Sequence, residues 1–534
     1  MRSVPVLIVG GGPVGLTASF LLSRRGVPSL LVERHPGTAI HPKARGINVR
    51  TMEIFRQQGV EDAVRNAGLP PERTGLIVWA RTLAGEEIER RTPWRGRAEA
   101  AQISPVRNCL CAQDYLEPVL RAYAEGQAGA ELRFNCELAS FEQSDTGVHA
   151  TLLDRTNGRE EQVAADYMIA ADGAQSGVRQ ALGVGMLGKK DVYDSVNMLF
   201  EADLRRWTTD RPAALYFIEN PELRGTFLTI NAHDRWGFLV NSLKSQGLRA
   251  EDFTPELAER LVRLGAGIPD LPVKILGIAP WVASAQVAER YMMGRVFLAG
   301  DAAHEMPPTG GFGMNTGVQD VHNLCWKLAL VLQGEADASL LATYHDERQP
   351  LGRAITEQSL HNAISMGRLQ ETRQAAGARP EYLNEIGMIF GAIYESRAVV
   401  PDGTDRPAVA NPVTDYVPSG RPGGRAPHAW LKKPDGERIS TIDLVGNDFV
   451  LFAGSRGEAW LDAAAKLGLA LKTVPVGPDG LADVEGHWHE LYGVERTGAV
   501  LVRPDGYVGW RSASLPADPA TALAGAYHAI LGRV

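Results

Sequence analysis

The chain has 534 residues, which is too long for one compact core and predicts two or three domains. Hydrophobic residues make up 44% of the sequence and charged residues 22%, as is ordinary for a globular protein. The formal net charge of −8 gives no electrostatic reason to expect binding of nucleic acid or of an anionic membrane surface.

The N-terminus and the cysteines both bear on the compartment. The apolar run at residues 4–9 is too short for a signal peptide or a membrane span, so we expect a cytoplasmic protein with no membrane partner. The cysteines lack the spacing of a disulfide framework, a zinc site or a redox pair, and we interpret them as reduced structural thiols. They are Cys109, Cys111, Cys136 and Cys325. No cluster of metal ligands is found in the sequence, so we predict no metal site.

A dinucleotide-binding pattern stands at the N-terminus. A buried strand at residues 4–9 leads into G-x-G-x-x-G, followed by a helix and a second strand that ends at Glu33. In such a turn Gly10 permits the tight bend, Gly12 lets a pyrophosphate approach the backbone, and Gly15 allows close packing of helix and strand. Glu33 then stands where a carboxylate accepts hydrogen bonds from a ribose. The pattern alone leaves NAD and FAD both open.

Polar residues follow other predicted elements of the same layer. Arg45 lies in a loop that leads into a helix, and Gln113 stands at the start of another helix. Asp172 and Gly173 end a strand and precede a helix, so the carboxylate could bind ribityl hydroxyls or face a second substrate. Exposed arginines at helix starts are common, and Arg45 by itself is a weak indication of a ligand.

Residues 185–285 change in character and predict an antiparallel sheet, because short alternating runs are joined by turn residues. Its aromatic faces could form the wall of a ligand pocket, although alternating aromatic residues in strands often form ordinary core. From this sheet Tyr216, Trp236 and Asn241 are candidate substrate contacts, with a structural role as the alternative for each.

The segment at residues 295–317 combines a strand, a glycine-rich loop and the start of a helix. Gly300 and Asp301 follow the strand, and the helix continues to about residue 332. A helix start offers unpaired N–H groups and the positive end of a dipole, which suits a planar, polar ligand that becomes negatively charged. A tight loop that binds nothing is the alternative. His304 is expected to pack or to form a hydrogen bond beneath the loop rather than to take part in catalysis.

The C-terminal part is predicted to be a separate unit. A mostly helical segment runs to about residue 399 with a break near residues 377–380, and residues 401–424 form a linker rich in proline and glycine. A small βαβ-type domain follows, and a turn at residues 503–506 predicts a β-hairpin.

Three separated motifs together resemble those of a known family. They are the G-x-G-x-x-G at residues 10–15, Ala-Ala-Asp172-Gly173, and Ala-Gly300-Asp301-Ala-Ala-His. The ordered trio resembles the single-component FAD monooxygenases of the para-hydroxybenzoate and phenol hydroxylase type. Residues 420–428 and 501–511 resemble the thioredoxin-like tail of phenol hydroxylases and of bacterial aromatic polyketide hydroxylases, which include tailoring enzymes of antibiotic biosynthesis.

The resemblance implies an α/β fold in which a Rossmann-like FAD domain carries an antiparallel-sheet substrate domain and a thioredoxin-like domain. The implied FAD domain is discontinuous, at residues 1–180 and 281–345, with the substrate sheet at residues 181–280. A helical segment and linker at residues 346–410 would precede the thioredoxin-like domain at residues 411–534. That domain holds no Cys-x-x-Cys, so dithiol chemistry is not expected of it.

The resemblance also implies the site residues. Glu33 would bind the adenosine ribose, Asp301 the ribityl chain, and backbone amides from Gly311 to Asn315 would face the pyrimidine end of the flavin. Arg45 is the best polar candidate for a catalytic role on the substrate side. The full set of implied cofactor-binding residues is Gly10, Gly12, Gly15, Glu33, Arg34, Arg45, Gln113, Asp172, Gly173, Asp301, Pro308, Gly311, Gly313, Met314 and Asn315.

The implied reaction uses NAD(P)H to reduce FAD and O2 to form a flavin C4a-hydroperoxide, which hydroxylates a phenolic, polycyclic substrate of polyketide type. Baeyer–Villiger insertion or epoxidation on the same scaffold is the main alternative. A flavin dehydrogenase that makes no oxygenated product and an inactive flavin-binding partner protein are further alternatives. The expected partners are a small aromatic molecule and O2, and the sequence leaves monomer and homodimer open.

Overall fold

A computed structural model describes residues 2–73, 75–92, 100–231, 233–366, 384–478 and 480–533. It has a mixed α/β architecture. The strands, in chain order, are β1 (Arg2–Val9), β2 (Ser29–Glu33), β3 (Gly46–Ile47), β4 (Leu76–Ala80), β5 (Glu87–Arg91), β6 (Cys109–Leu110), β7 (Ala130–Phe134), β8 (Cys136–Gln143), β9 (Val148–Asp154), β10 (Arg159–Ala170), β11 (Met186–Glu201), β12 (Ala213–Glu219), β13 (Arg224–Thr229), β14 (Arg235–Asn241), β15 (Lys274–Ala288), β16 (Met292–Met293), β17 (Val296–Leu298), β18 (His304–Glu305), β19 (Trp430–Lys432), β20 (Arg438–Ser440), β21 (Phe449–Ala453), β22 (Leu471–Pro475), β23 (Ala482–Asp483), β24 (Ala499–Val502) and β25 (Val508–Ser512).

The helices connect and cover these strands. Within the described ranges, none of them is both long enough and apolar enough to cross a membrane. They are α1 (Pro13–Ser23), α2 (Val49–Gln58), α3 (Glu61–Ala67), α4 (Ala100–Ile103), α5 (Gln113–Glu125), α6 (Gly177–Ala181), α7 (Arg205–Thr208), α8 (Pro255–Ala266), α9 (Gly313–Leu332), α10 (Thr343–Ser365), α11 (Ile386–Phe390), α12 (Glu458–Leu467), α13 (Trp488–Tyr492) and α14 (Pro519–Ile530).

The first sheet is the parallel layer of the molecule. Its strands follow the order β16-β17-β10-β1-β2-β7, and β8 and β9 extend it as an antiparallel ribbon from β10. Strand β1 runs parallel to both β10 and β2, and β10 runs parallel to β17. The carboxyl ends of β1, β10 and β17 therefore meet at one edge of the sheet. They lead into the segments that hold Gly10, Asp172 and Gly300, which brings the three sequence motifs together.

Small residues let helices α1 and α9 lie close to this edge. A Cβ atom at Gly317 would lie 2.6 Å from Val14 Cγ2 and 2.8 Å from Gly300 Cα. Such distances are shorter than real Cβ contacts, so glycine is needed where helix α9 crosses the loop after β17. This close packing fixes the start of α9 at the edge of the first sheet.

The second sheet is mainly antiparallel, with the order β18-β15-β11-β14-β13-β12-β4-β5. Strands β4 and β5 belong to it, so residues 76–91 lie in the second sheet and not in the layer to which the predicted domain limits assign them. Strand β15 also runs to Ala288, past the predicted limit at residue 280. Sequence patterning missed this because the β12–β4 pairing joins segments far apart in the chain. One face of the sheet packs on α8, and the other faces the first sheet.

The C-terminal region contains the predicted βαβ unit and hairpin. Strand β21 runs parallel to β22 with α12 between them, and β24 pairs with β25 in an antiparallel hairpin. The four strands form one sheet in the order β22-β21-β24-β25. The predicted helical segment before this region contains α10 and α11, and its predicted break near residues 377–380 lies outside the described residues.

Buried ion pairs join the C-terminal region to the rest of the chain. Glu347 on α10 accepts hydrogen bonds from Arg503 Nη1 at 2.6 Å and from Lys327 Nζ at 2.8 Å. Glu53 on α2 pairs with Arg50 at 2.9 Å and with Arg425 Nε at 3.0 Å. All six side chains are buried. Since charges this deep are costly unless they are paired, the C-terminal region and the two helices must be placed together.

The cysteines are structural, as predicted. All four are buried, and none forms a disulfide. Burial raises the pKa of the Cys109 thiol to about 11 and the pKa of Cys111 and Cys325 to about 12. The thiols therefore stay protonated and unreactive at neutral pH.

Replacing Arg503 with methionine should destabilise the protein strongly, because Glu347 and Asp505 would lose a buried partner. Breaking a buried ion pair from one side costs about 3–5 kcal/mol in the free energy of unfolding. The matched control is Arg406→Met, since Arg406 and its partner Glu395 are both exposed and such a pair contributes about 0–1 kcal/mol. Denaturant unfolding of the purified variants measures both changes. Equal destabilisation by the two substitutions would contradict this account of the interface.

Candidate active site

A cavity of about 1740 Å³ lies between the carboxyl edge of the first sheet and one face of the second. Pockets for a single small molecule usually enclose about 300–1,000 Å³. The volume is therefore sufficient for a dinucleotide together with a second ligand. Residues from all three sequence motifs line the cavity, and so do residues of β11, β12, β13 and β14.

The glycines of the first turn have the geometry that the sequence predicts. Gly10 has a φ of 110°, and a Cβ atom there would lie 2.3 Å from the Ala171 carbonyl oxygen. A Cβ atom at Gly15 would lie 2.0 Å from the Gly10 carbonyl oxygen, so that position also requires glycine. A Cβ atom at Gly12 would meet nothing within 4 Å. Gly12 thus presents bare backbone to the cavity at the start of α1, where a phosphate group fits.

Glu33 and Arg34 lie on the cavity wall at the end of β2. Glu33 Oε2 accepts a hydrogen bond from the Gly11 N–H at 2.7 Å, and Oε1 accepts one from the His35 N–H at 2.9 Å. These bonds orient the carboxylate beside the glycine turn. Arg34 is exposed next to it. The position agrees with a ribose contact for Glu33, which stays a prediction.

Asp172 presents an unpaired oxygen at the same edge. Its Oδ2 accepts a hydrogen bond from the Val178 N–H at 3.2 Å, while its buried Oδ1 has no partner among the residues that the structure describes. Gly173 follows with a φ of 86° and also lines the cavity. A buried carboxylate oxygen without a donor is costly, so this atom fits a ligand that supplies hydroxyl or amide hydrogens.

Asp301 projects into the cavity from the loop after β17. Its side chain is open to the cavity space but lies deep in the protein, and this desolvation raises the pKa of its carboxyl group. Nearby His304 and Lys43 oppose the increase. Gly300 before it has a φ of 60°, and a Cβ atom there would lie 2.9 Å from Val14 Cγ2.

The start of α9 also borders the cavity. Its first backbone hydrogen bond runs from the Thr316 N–H to the Phe312 carbonyl at 2.8 Å, so the amides of Gly313, Met314 and Asn315 precede the intrahelical bonds. Gly313 and Met314 line the cavity, as does Pro308. The helix start thus directs N–H groups and a positive dipole end toward the cavity, where they would stabilise developing negative charge.

One of the predicted backbone contacts in this loop is corrected, that of Gly311, and the Asn315 side chain has a separate structural role. The Gly311 N–H donates to the Pro308 carbonyl at 3.1 Å, so this amide closes a turn. The Asn315 side chain accepts from the Asn48 N–H at 2.9 Å and donates to the Gly46 carbonyl at 2.9 Å. Its side chain therefore points into the protein and ties α9 to β3. Sequence analysis could not detect this because the partners are more than 260 residues away.

Asp320 is a residue that sequence analysis missed. Its Oδ2 accepts from the Gly300 N–H at 3.2 Å and from His304 Nε2 at 2.8 Å, while Oδ1 accepts from Arg348 Nε at 2.8 Å. All of these groups are buried. The pKa of Asp320 is lowered by the adjacent Arg348 and His304 despite the desolvation of its site. The sequence feature that could have identified Asp320 is the presence of a charged residue within the apolar face of the predicted helix.

Gln113 and Arg45 organise the loop that closes the cavity. Gln113 Oε1 accepts from the Ala44 N–H at 3.1 Å, and its Nε2 donates to Glu117 at 2.7 Å. Arg45 lines the cavity, and its guanidinium donates to the Thr229 carbonyl at 2.7 Å and to the Ala214 carbonyl at 3.2 Å. These contacts make Arg45 a positioning residue between the loop and the second sheet, and they do not support the predicted catalytic role.

The three candidate substrate residues of the sheet have different outcomes. Tyr216 and Trp236 lie in the core on the α8 side, and the Tyr216 hydroxyl donates to the Arg211 carbonyl at 2.8 Å. Neither residue lines the cavity, so both assignments to the substrate are wrong. Side chains alternate between the two faces of a strand, and sequence alone did not show which face was inward. Asn241 does line the cavity.

Three further cavity residues were not predicted as site residues. His41, Asn197 and Thr226 all line the space, and each has a buried side-chain atom without a hydrogen-bond partner among the described residues. Burial also lowers the pKa of His41. Once Asn241 is known to face inward, the strand pairing places Asn197 and Thr226 on the same face.

Two family models match the chain. Residues 3–359 match the FAD binding domain family, and residues 419–534 match the family described as aromatic-ring hydroxylase, C-terminal. The first match alone covers more than half of the sequence. The chain therefore belongs to a family of FAD-binding proteins, and FAD is its cofactor.

Individual relatives are similar over nearly their whole length. A putative polyketide hydroxylase of Streptomyces halstedii is 40% identical over 96% of this chain and 94% of its own. A 4-methyl-5-nitrocatechol 5-monooxygenase of a Burkholderia species is 40% identical over 99% of this chain and 98% of its own. The solved structure of the flavin-dependent monooxygenase PieE, in complex with FAD and substrate, is 38% identical with a TM-score of 0.92, and the match covers 100% and 99% of the two chains.

Replacing Asp301 with alanine should weaken FAD binding without destabilising the FAD-free protein, because its side chain faces the cavity. A hydrogen bond to a charged group contributes about 1.5–3 kcal/mol, so the dissociation constant for FAD should rise by about tenfold to a hundredfold. The matched control is Asp346→Ala, at an exposed position on α10. Fluorescence titration of the FAD-free protein with FAD measures the constant. An unchanged constant would refute the role assigned to Asp301.

Asp320→Asn should reduce both FAD binding and stability, since it leaves buried Arg348 without its charged partner and loosens the Gly300 loop. The expected cost is about 3–5 kcal/mol in the free energy of unfolding of the FAD-free protein. Denaturant unfolding and FAD titration distinguish Asp320→Asn from Asp301→Ala, which should weaken FAD binding without changing stability. Asp346→Asn is the control, and a loss of FAD affinity with unchanged stability would contradict a positioning role.

Proposed function

The chain belongs to the FAD-dependent aromatic-ring hydroxylases and is a flavoprotein monooxygenase, and we propose that it hydroxylates a phenolic, polycyclic substrate of polyketide type with NAD(P)H and O2. One observation supports this most directly. The edge of the first sheet that carries the three cofactor motifs opens into the same cavity as the apolar face of the second sheet. A cofactor on the edge and an aromatic molecule on the face would thus share one cavity.

The residues present fit FAD. Gly12 would face the diphosphate, Asp301 the ribityl hydroxyls, and the amides of Gly313 and Met314 the pyrimidine end of the ring. Bound FAD supplies the redox chemistry, accepting a hydride from NAD(P)H and activating O2 for the transfer of one oxygen atom. The protein orients the ring, offers N–H groups where negative charge develops, and keeps water from the reacting atoms.

The shape of the sheet face favours a substrate with several rings. A row of cavity residues crosses neighbouring strands, with Ile77 on β4, Leu215 on β12 and Leu228 on β13 in register. Leu239 on β14 continues the wall. Four strands at about 4.8 Å spacing give a flat apolar surface about 14 Å wide, which exceeds a single benzene ring. The Streptomyces relative is named for polyketides, whereas the Burkholderia relative is named for a single-ring nitrocatechol.

NAD(P)H is proposed to dock transiently. The sequence contains one nucleotide fingerprint, at residues 10–15, and FAD accounts for it. The nicotinamide cosubstrate would therefore have no Rossmann domain of its own. Arg34 and Ile40 line the cavity and are exposed, so the approach of the cosubstrate is proposed to lie beside them.

We also propose that the C-terminal region, residues 411–534, is a thioredoxin-like domain with a structural role. The parallel β21–α12–β22 unit and the β24–β25 hairpin support the description. It contains no cysteine, so thiol exchange is excluded as its chemistry. Its arginines, Arg425 and Arg503, neutralise carboxylates buried in the rest of the chain.

An aerobic assay of the FAD-loaded enzyme tests the proposed activity. With a polycyclic phenol and NADH or NADPH, we expect substrate-dependent oxidation of the nicotinamide and a product that gains one oxygen atom. Isotopically labelled O2 should place a single labelled atom in that product. A lactone would indicate Baeyer–Villiger insertion, and oxidation of the phenol without O2 but with another electron acceptor would indicate a dehydrogenase. Either outcome would overturn the hydroxylase proposal.

A further inference from the structure

We propose that Asn197, Thr226 and Asn241 form a polar recognition set that selects polycyclic substrates by their oxygen substituents. The inference rests on the proposed function, because it concerns the substrate side of the same cavity. It goes further by assigning a hydrogen-bonding role to three particular atoms. These are Asn197 Oδ1, Thr226 Oγ1 and Asn241 Nδ2.

Strand pairing puts the three residues on one face of the second sheet. Leu239 on β14 lies opposite Asn197 on β11 and opposite Thr226 on β13. Asn241 is two residues further along β14 and points the same way as Leu239. All four residues line the cavity. The polar side chains thus surround Leu239 on an otherwise apolar wall.

Each of the three polar side chains is buried, with 8% exposure for Asn197, 2% for Thr226 and 3% for Asn241. Their Oδ1, Oγ1 and Nδ2 atoms respectively have no hydrogen-bond partner within the described part of the chain. Buried polar groups in proteins are almost always hydrogen-bonded, because an unsatisfied group loses its hydrogen bonds to water and forms none to replace them. Three such atoms on one wall of one cavity indicate that a ligand satisfies them.

Neighbouring groups determine what each atom can bind. Ser195 Oγ donates to Asn241 Oδ1 at 2.9 Å, which leaves the amide hydrogens on Asn241 Nδ2 as the donors available to a ligand. Asn197 Nδ2 points to the Pro42 carbonyl at 3.5 Å, which leaves its Oδ1 as an acceptor. The Thr226 hydroxyl can donate or accept. The set therefore matches a ligand that presents a carbonyl or phenolate oxygen to Asn241 and a hydroxyl group to Asn197.

The spacing of the set requires more than one ring. Asn197 and Asn241 are diagonal neighbours on adjacent strands, about 7–8 Å apart. Asn197 and Thr226 are separated by the whole of strand β14, which is about 10 Å. A single-ring phenol cannot reach all three side chains together, whereas a fused-ring quinone or phenol with oxygen atoms at both ends can. The substrate class is therefore an oxygenated, planar polycycle.

Binding of two probes to the FAD-loaded enzyme tests this assignment. The first is 2,6-dihydroxyanthraquinone, whose hydroxyl groups are not internally bonded to its carbonyl groups. The second is 9,10-anthraquinone, which has the carbonyl groups alone. The variants are Asn197→Leu, Thr226→Val and Asn241→Leu. The matched control is Thr356→Val, because Thr356 is buried with an unpartnered hydroxyl within the described residues but does not line the cavity.

We expect Asn241→Leu to weaken binding of both probes by about three- to tenfold, as the loss of one hydrogen bond predicts. Asn197→Leu and Thr226→Val should weaken binding of the dihydroxy probe by a similar factor and leave binding of anthraquinone unchanged. Thr356→Val should alter neither. The melting temperature of the ligand-free enzyme should not fall in Thr226→Val, because this change removes an unsatisfied hydroxyl. If Thr226 had a purely structural role, Thr226→Val would instead lower the melting temperature.

The proposal is overturned if the three cavity variants bind both probes like the wild type, if Thr356→Val weakens binding equally, or if the wild type binds neither probe. Product formation in the aerobic assay is a separate measurement. An enzyme that shows these binding differences but forms no oxygenated product would count against the hydroxylase function and leave the recognition set intact. Hydroxylation of phenols with no binding difference among the variants would support the hydroxylase function and count against the recognition set.

Discussion

The buried carboxylate of Asp320 is the constraint on which the site depends. It lies on α9 and holds the Gly300 N–H, the His304 ring and the Arg348 guanidinium at once. Each group comes from a different element, and a charge at this depth is stable only when all of its partners are in place. The end of β17, the start of α9 and helix α10 are therefore held together. Asp301 and the first amides of α9 open into one cavity as a result.

The same physical rule attaches the C-terminal region. Glu347 and Glu53 are buried in the N-terminal part of the chain, and arginines from the C-terminal region neutralise them. These ion pairs tie the C-terminal region to the rest of the fold. Glu347 lies next to Arg348 on α10, so the interface and the Asp320 cluster share one helix. Loss of the C-terminal region would leave unpaired charges close to the Asp320 cluster that holds the Gly300 loop.

The second sheet separates two roles by the alternation of its side chains. Tyr216 and Trp236 point toward α8 and form part of the core. The residues that alternate with them along the same two strands point to the cavity. A shift of one residue exchanges the two sets, and aromatic residues in a strand carry no local sign of the face they occupy. The prediction therefore identified the sheet correctly and chose two residues from the wrong face. Asn241 was chosen on the same grounds and faces inward.

What the sequence determined by itself is local. The glycine turn at residues 10–15, Asp172–Gly173 and Gly300–Asp301 each combine a strand end, a turn and a helix start within a few residues. The glycine turn indicated a dinucleotide, and the resemblance of the ordered trio to a known family implied that this dinucleotide is FAD. The tertiary structure decided which groups act together across the chain. Examples are Arg45 on the Thr229 carbonyl, β4 in the second sheet, and Asp320 beneath Gly300. These contacts depend on long-range pairing and on which face of an element is buried, and neither leaves a pattern in neighbouring residues.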